Sequence, residues 1–223
     1  MMKNISVFLF LFFYVFTFSQ SKVLVNNNLN IVEDSLKRQK IIENLSQFIL
    51  DKNIENENLR IINPKNKLET WLFLDELRKL QNSKIFTTQY NLMYEIISAE
   101  VSDKNNYIVY LNCYFKDKET KHSVANIQIS VQEINNQHLL SSTIKNNLNN
   151  WKSKSIENYT FYFEKNIDEK KMKDFISKNN QLSLNLKEQK LPTTVYCADG
   201  ILKANKLLGI DYKTDESDAG NFF

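Results

Sequence analysis

Glycine is scarce in this chain, with three in 223 residues, at positions 200, 209 and 220. A phosphate-cradling loop of the Walker or Rossmann kind needs glycines clustered within a single turn, so nucleotide binding by such a loop is excluded. The same shortage excludes a Gly-x-Ser-x-Gly nucleophile elbow. No Cys-x-x-Cys pair occurs, and Asp215, Glu216, Ser217 and Asp218 lack the alternation and closing glutamate of a calcium loop. Only two histidines are present, His122 and His138, and neither is followed by a second ligand at metal spacing. No metal, cofactor-binding or catalytic residue can therefore be assigned from motifs. An excess of one charge is also missing: 29 basic against 26 acidic residues leave a formal +3, scattered along the chain. Such a balance gives no field that would select nucleic acid or anionic lipid. Lys170, Lys171 and Lys173 read as the solvated face of a helix, since Phe161, Tyr162 and Phe163 beside them belong to a strand.

What is present suits a protein with a core: 42% hydrophobic and 25% charged residues separate the chain from disordered sequences. Its first segment has the marks of a secretory signal. Lys3 supplies a positive start, residues 5–18 are almost unbroken apolar, and Thr17, Phe18 and Ser19 precede a cleavage point that leaves Gln20 first. A membrane-spanning helix needs roughly 20 apolar residues, so no stable insertion is expected after cleavage. The expected location is secreted or periplasmic. Export permits a Cys113–Cys197 disulfide, but Cys113 shares a strand face with Val109, Leu111 and Phe115, where a thiol behaves as a small hydrophobe. Two unpaired thiols are expected.

The chain is organised around residues 90–144, four segments of strand character separated near 103–106, 116–121 and 135–136. Ala125, Ile127, Ile129 and Val131 alternate with Asn126, Gln128, Ser130 and Gln132, which gives one apolar and one wet face. Residues 107–115 are apolar on both faces except at Asn112, as a central strand should be. An antiparallel meander follows. Ahead of it, residues 30–51 carry Ile31, Ile42, Leu45, Phe48 and Ile49 at helical spacing opposite Glu33, Lys37, Lys40 and Glu43. Asn63 and Pro64 then read as a cap and first-turn proline opening a second helix through about Leu80. Its stripe of Trp71, Phe73, Leu74, Leu77 and Leu80 is wide enough to place it between layers.

After Trp151 the pattern becomes β-α-β: a strand at 159–163, a helix capped by Asp168 with Met172, Phe175, Ile176, Asn179, Leu182 and Leu186, and a strand at 193–197. Asp199 and Gly200 open a short helix that stops at Gly209, and Ile210, Asp211 and Tyr212 end the unit. The expected fold is α+β: two N-terminal helices packed on a curved antiparallel meander, followed by a small β-α-β-α unit. The expected layout is a signal peptide at 1–19, a helix-plus-antiparallel-sheet domain at 20–145, a β-α-β-α module at 151–213 and a flexible tail at 214–223.

Two helices followed by a curling meander resemble the nuclear-transport-factor-like, cone-shaped α+β domains over residues 30–145. That resemblance implies a sheet wrapped round a pocket, used by small enzymes and by binding or scaffold domains alike. The run from Trp151 through residues 194–200 to 207–212 is similar to the opening of the peptidase domain of gluzincin-type secreted metallopeptidases. In that family the zinc helix comes later, and nothing comparable occurs here, so the similarity implies a shortened relative without the metal. Three functional readings follow. The first is an exported, non-catalytic binding or scaffold protein for an unknown small molecule or protein partner. The second is a cone-fold hydrolase or isomerase using a pocket carboxylate or histidine, such as His138 with Glu95. The third is an inactive or truncated peptidase relative.

Overall fold

The computed structural model describes residues 23–25, 35–50, 60–103, 105–187 and 191–213. The signal-like segment, Ile31 and the acidic tail lie outside the described residues. The architecture is α+β, with an antiparallel meander in the larger of two sheets. In chain order the elements are β1 (Leu24–Val25), α1 (Ser35–Leu50), a 3-10 turn (Pro64–Asn66), α2 (Lys67–Gln81), α3 (Lys84–Thr88), β2 (Met93–Asp103), β3 (Asn106–Asp117), β4 (Thr120–Ile134) and β5 (Gln137–Ser142). They continue as α4 (Ile144–Asn147), β6 (Lys152–Ile156), β7 (Tyr159–Phe163), α5 (Glu169–Leu186), β8 (Thr193–Cys197), α6 (Ile201–Leu208) and β9 (Ile210–Tyr212).

The larger sheet runs β1-β2-β3-β4-β5, with β3 in the middle as expected, but only one of its faces is fully covered: Val109, Leu111 and Cys113 are buried, whereas Ile108, Tyr110 and Asn112 are half-buried. Asn135 and Asn136, both at positive φ, make the two-residue turn between β4 and β5, the geometry that suits a right-twisted hairpin. Register shifts between Ile96 and Ser98 and between Cys113 and Tyr114 bend the strands. The inward row of Val109, Leu111, Cys113, Ala125, Ile127, Ile129 and Val131 is wholly buried. Phe48 of α1 stacks on Phe73 of α2 against it, with ring centroids 5.9 Å apart.

Asn63 caps the 3-10 turn by accepting from the Lys65 N–H at 3.1 Å, and that turn runs directly into α2. The wide stripe of α2 has the expected consequence. One side meets the meander and α1; the other meets the C-terminal third, where Asn205 of α6 and Tyr212 of β9 donate to the Glu76 carboxylate at 2.9 and 3.1 Å. Tyr196 of β8 donates to Glu69 at 3.2 Å.

The smaller sheet is β6-β7-β8, antiparallel in its first pair and parallel in its second, with Phe161 opposite Val195 and Phe163 opposite Cys197. Tyr159, Phe161, Met172 and Ile176 form its core. Two features differ from expectation. Residues 210–212 leave the smaller sheet's unit and pair as β9 with residues 125–127 of β4. At 15 residues β4 is long enough to take β9 and β5 one after the other along the edge opposite β3. The chain turns into this position at Gly209, whose φ of +108° and close approach to the Gln128 carbonyl leave no room for a side chain. The helical stripe of α5 also finds less cover than its spacing suggests: Met172 and Ile176 are buried, whereas Phe175, Leu182 and Leu186 are exposed.

Candidate functional site

The inward face of the meander packs with α1 and α2 into the main hydrophobic core. Tyr94, Cys113 and Gln81 lie together inside it, all buried. Gln81 donates to the Tyr94 hydroxyl at 2.9 Å and to the Ile49 carbonyl at 2.8 Å. Burial pushes the Cys113 thiol up to about 12, although its hydrogen bond with Tyr94 acts in the opposite sense. Burial likewise holds the Tyr94 hydroxyl well above the ordinary phenol range, reinforced by Cys113. Both groups are thus protonated at neutral pH, and a protonated thiol is a poor nucleophile. Glu76 already accepts from Asn205 and Tyr212.

The histidines do not form a reactive pair. His122 is exposed on β4, stacked on Phe115 at 4.9 Å between ring centroids. His138 is buried on β5 opposite Glu133, with neither ring nitrogen hydrogen-bonded. Burial lowers its pKa, Glu133 works against that shift, and Lys37 and Lys40 of α1 add to it. Glu95 is elsewhere. It faces Asn112, which faces Asn126 on β4, while His138 faces Glu133, seven positions further along that strand. At roughly 3.3 Å per residue the two are separated by more than 20 Å. Glu95 instead pairs with Lys121, whose ammonium also lies 4.0 Å from the centroid of the Tyr114 ring.

A crevice of about 110 Å³ opens at the carboxyl ends of the two parallel strands β7 and β8. The loops that follow β7 and β8 both leave the sheet at that end. Its apolar lining comes from Trp151, Phe163, Ile167 and Ala198, together with the half-buried Cys197. Its charged groups are Glu164 and Lys165 after β7, and Asp199 and Lys203 after β8. They pair crosswise. Lys165 bonds Asp199 at 2.8 Å, and Lys203 bonds Glu164. The Lys165 bond and charge lower the Asp199 carboxyl, and Asp199 in return raises the Lys165 ammonium. Asn166 accepts from Lys152 of β6 at 3.2 Å. The Cys197 thiol is raised by burial and is no thiolate.

Both thiols are unpaired, Cys113 within the larger sheet and Cys197 at the end of the smaller one. Among the described residues no group of three His, Cys, Asp or Glu side chains converges as a metal site would require. No described helix is long and apolar enough to cross a membrane. The β-α-β order marks the strand ends on which the crevice is built. The crosswise pairing of residues 164 and 165 with 203 and 199 has no such signal, because it depends on the distance between two loops. Comparison with protein-family models, curated proteins and solved structures finds no match to this chain.

Proposed function

We propose that the protein is exported and works by binding, with the crevice at the ends of β7 and β8 as its ligand site. The observation that carries this reading is a contrast between two places. The titratable groups inside the meander are buried and already bonded to one another, whereas the crevice is reachable and its charges are held only by solvent-exposed pairs. Exposed ion pairs contribute between roughly 0 and 1 kcal/mol, so a ligand can replace them at small cost. The volume is well below the roughly 300–1,000 Å³ of pockets for drug-sized ligands, so the occupant is a small molecule or one side chain of a partner. Export rests on the charge, length and small-residue pattern of residues 1–19.

A thermal-shift screen of small polar metabolites tests the reading, because a ligand bound only to the folded state raises the melting temperature by mass action. At least one compound should stabilise the wild type and fail to stabilise Lys165→Ala/Lys203→Ala. Stabilisation that is equal in both proteins, or turnover of a screened compound, would overturn it.

A further inference from the structure

The arrangement of charge in the crevice points to a class of ligand, and this inference rests on the crevice being the binding site. Each wall carries both signs: Glu164 and Lys165 on one, Asp199 and Lys203 on the other. They neutralise one another across the gap. A simple anion that took Lys165 would leave Asp199 without its partner, and a simple cation taking Asp199 would strand Lys165. A singly charged ligand thus gains one contact for the pair it breaks, and the group left behind, largely exposed, returns to solvent. A ligand carrying an ammonium and a carboxylate a few ångströms apart avoids both losses, since its carboxylate takes the lysine and its ammonium takes the aspartate.

Most of the remaining lining is apolar, from Trp151, Phe163, Ile167 and Ala198. It offers a place for a short aliphatic group. We propose that the crevice binds a free α-amino acid with a small apolar side chain, through Lys165 on its carboxylate and Asp199 on its ammonium, with Lys203 and Glu164 as the second pair. The exchange replaces the Lys165–Asp199 pair by two pairs to the ligand and adds burial of its side chain.

Isothermal titration calorimetry of the full protein with L-alanine tests this, with N-acetylalanine and alaninamide as controls that each lack one charge. Alanine should bind at least tenfold tighter than either control, and Asp199→Asn or Lys165→Gln should weaken alanine at least tenfold with circular dichroism unchanged. Equal binding of alanine and N-acetylalanine would make this an anion site and overturn the zwitterion inference while leaving a binding crevice in place. No alanine binding, accompanied by binding of another metabolite that Lys165→Ala/Lys203→Ala abolishes, would also overturn it without touching the broader reading. If no compound distinguishes wild type from that double variant, both fail together.

Discussion

Asn205 of α6 donates a hydrogen bond to the Glu76 carboxylate of α2 at 2.9 Å, joining residues 129 positions apart in the chain. Tyr212 of β9 donates to the same oxygen at 3.1 Å, so one buried carboxylate fastens two C-terminal elements to the central helix. Hydrogen bonds to a charged group contribute about 1.5–3 kcal/mol, and a buried donor stripped of its acceptor costs more than the bond itself. Glu76→Ala is expected to lower stability by about 3 kcal/mol, and Glu76→Gln by less because it keeps an acceptor. Urea denaturation checks the magnitude. Loss below about 1 kcal/mol for Glu76→Ala would show that the C-terminal third is held by other contacts.

Gly209 and Gly200 provide a matched pair. Both have positive φ, yet a Cβ at Gly209 would lie 2.7 Å from the Gln128 carbonyl oxygen and from Thr143 Oγ1, while one at Gly200 meets nothing within 4 Å. Gly200→Ala should therefore cost only the backbone term, about 1–3 kcal/mol, because its φ of 102° and ψ of 169° lie in a region that essentially only glycine visits. Gly209→Ala adds a steric clash that must displace β9 or β4, and its expected cost is at least twice as large. Equal midpoints for the two variants in parallel urea titrations would contradict the close approach.

The order and type of most elements are legible in the sequence because local chemistry and tertiary packing agree. Ala125, Ile127, Ile129 and Val131 alternate with polar residues and are buried as the alternation requires. Asn63 and Pro64 start the 3-10 turn that leads into α2, and Asp168 caps α5 by accepting from Lys170 at 2.8 Å. β6 is hidden because its sequence, Lys-Ser-Lys-Ser-Ile, has almost no apolar residues; it is an exposed edge strand held by backbone pairing to β7. β1 is too short to show a period. The return of β9 to β4 follows from the spare edge of a 15-residue strand and the turn at Gly209, neither of which is visible in three residues of strand. The crevice was only half legible: its strand ends follow from the β-α-β order, but the pairing of Lys165 with Asp199 depends on three-dimensional closure.

His138 should make stability depend on pH. It is buried without a partner for either ring nitrogen, and its pKa is lowered below the ordinary value near 6.5. The groups facing it are Glu133 on β4 and Lys37 and Lys40 on α1. In the window between the lowered folded value and the unfolded value, the unfolded state binds more protons, so stability rises with pH. It is fully present above about pH 6.5 and declines as pH falls toward the folded value. Urea midpoints between pH 8 and pH 5 should fall for the wild type and fall less for His138→Leu. Parallel slopes would show that His138 does not contribute.

The thiols should differ in access. Cys113 is wholly buried and pushed up to about 12, while Cys197 is half-buried at the crevice. Titration with a chromogenic disulfide reagent at pH 8 should release one equivalent from the native protein, slowly because burial raises Cys197, and two after denaturation. Zero equivalents from the denatured, unreduced protein would mean that the two sulfurs are bonded to each other.

The two tryptophans allow the binding reading to be tested at a single residue, since Trp151 lines the crevice and Trp71 lies on α2 beneath the Lys67 ammonium, 4.6 Å from its ring centroid. The ¹⁵N–¹H spectrum of the indole-labelled protein should show two side-chain resonances, followed as a stabilising ligand is added. Movement of the Trp151 resonance with Trp71 stationary is the expected result. A stationary Trp151 while Trp71 or backbone amides of the inward-facing meander residues shift would place the ligand elsewhere and contradict a binding site at the ends of β7 and β8.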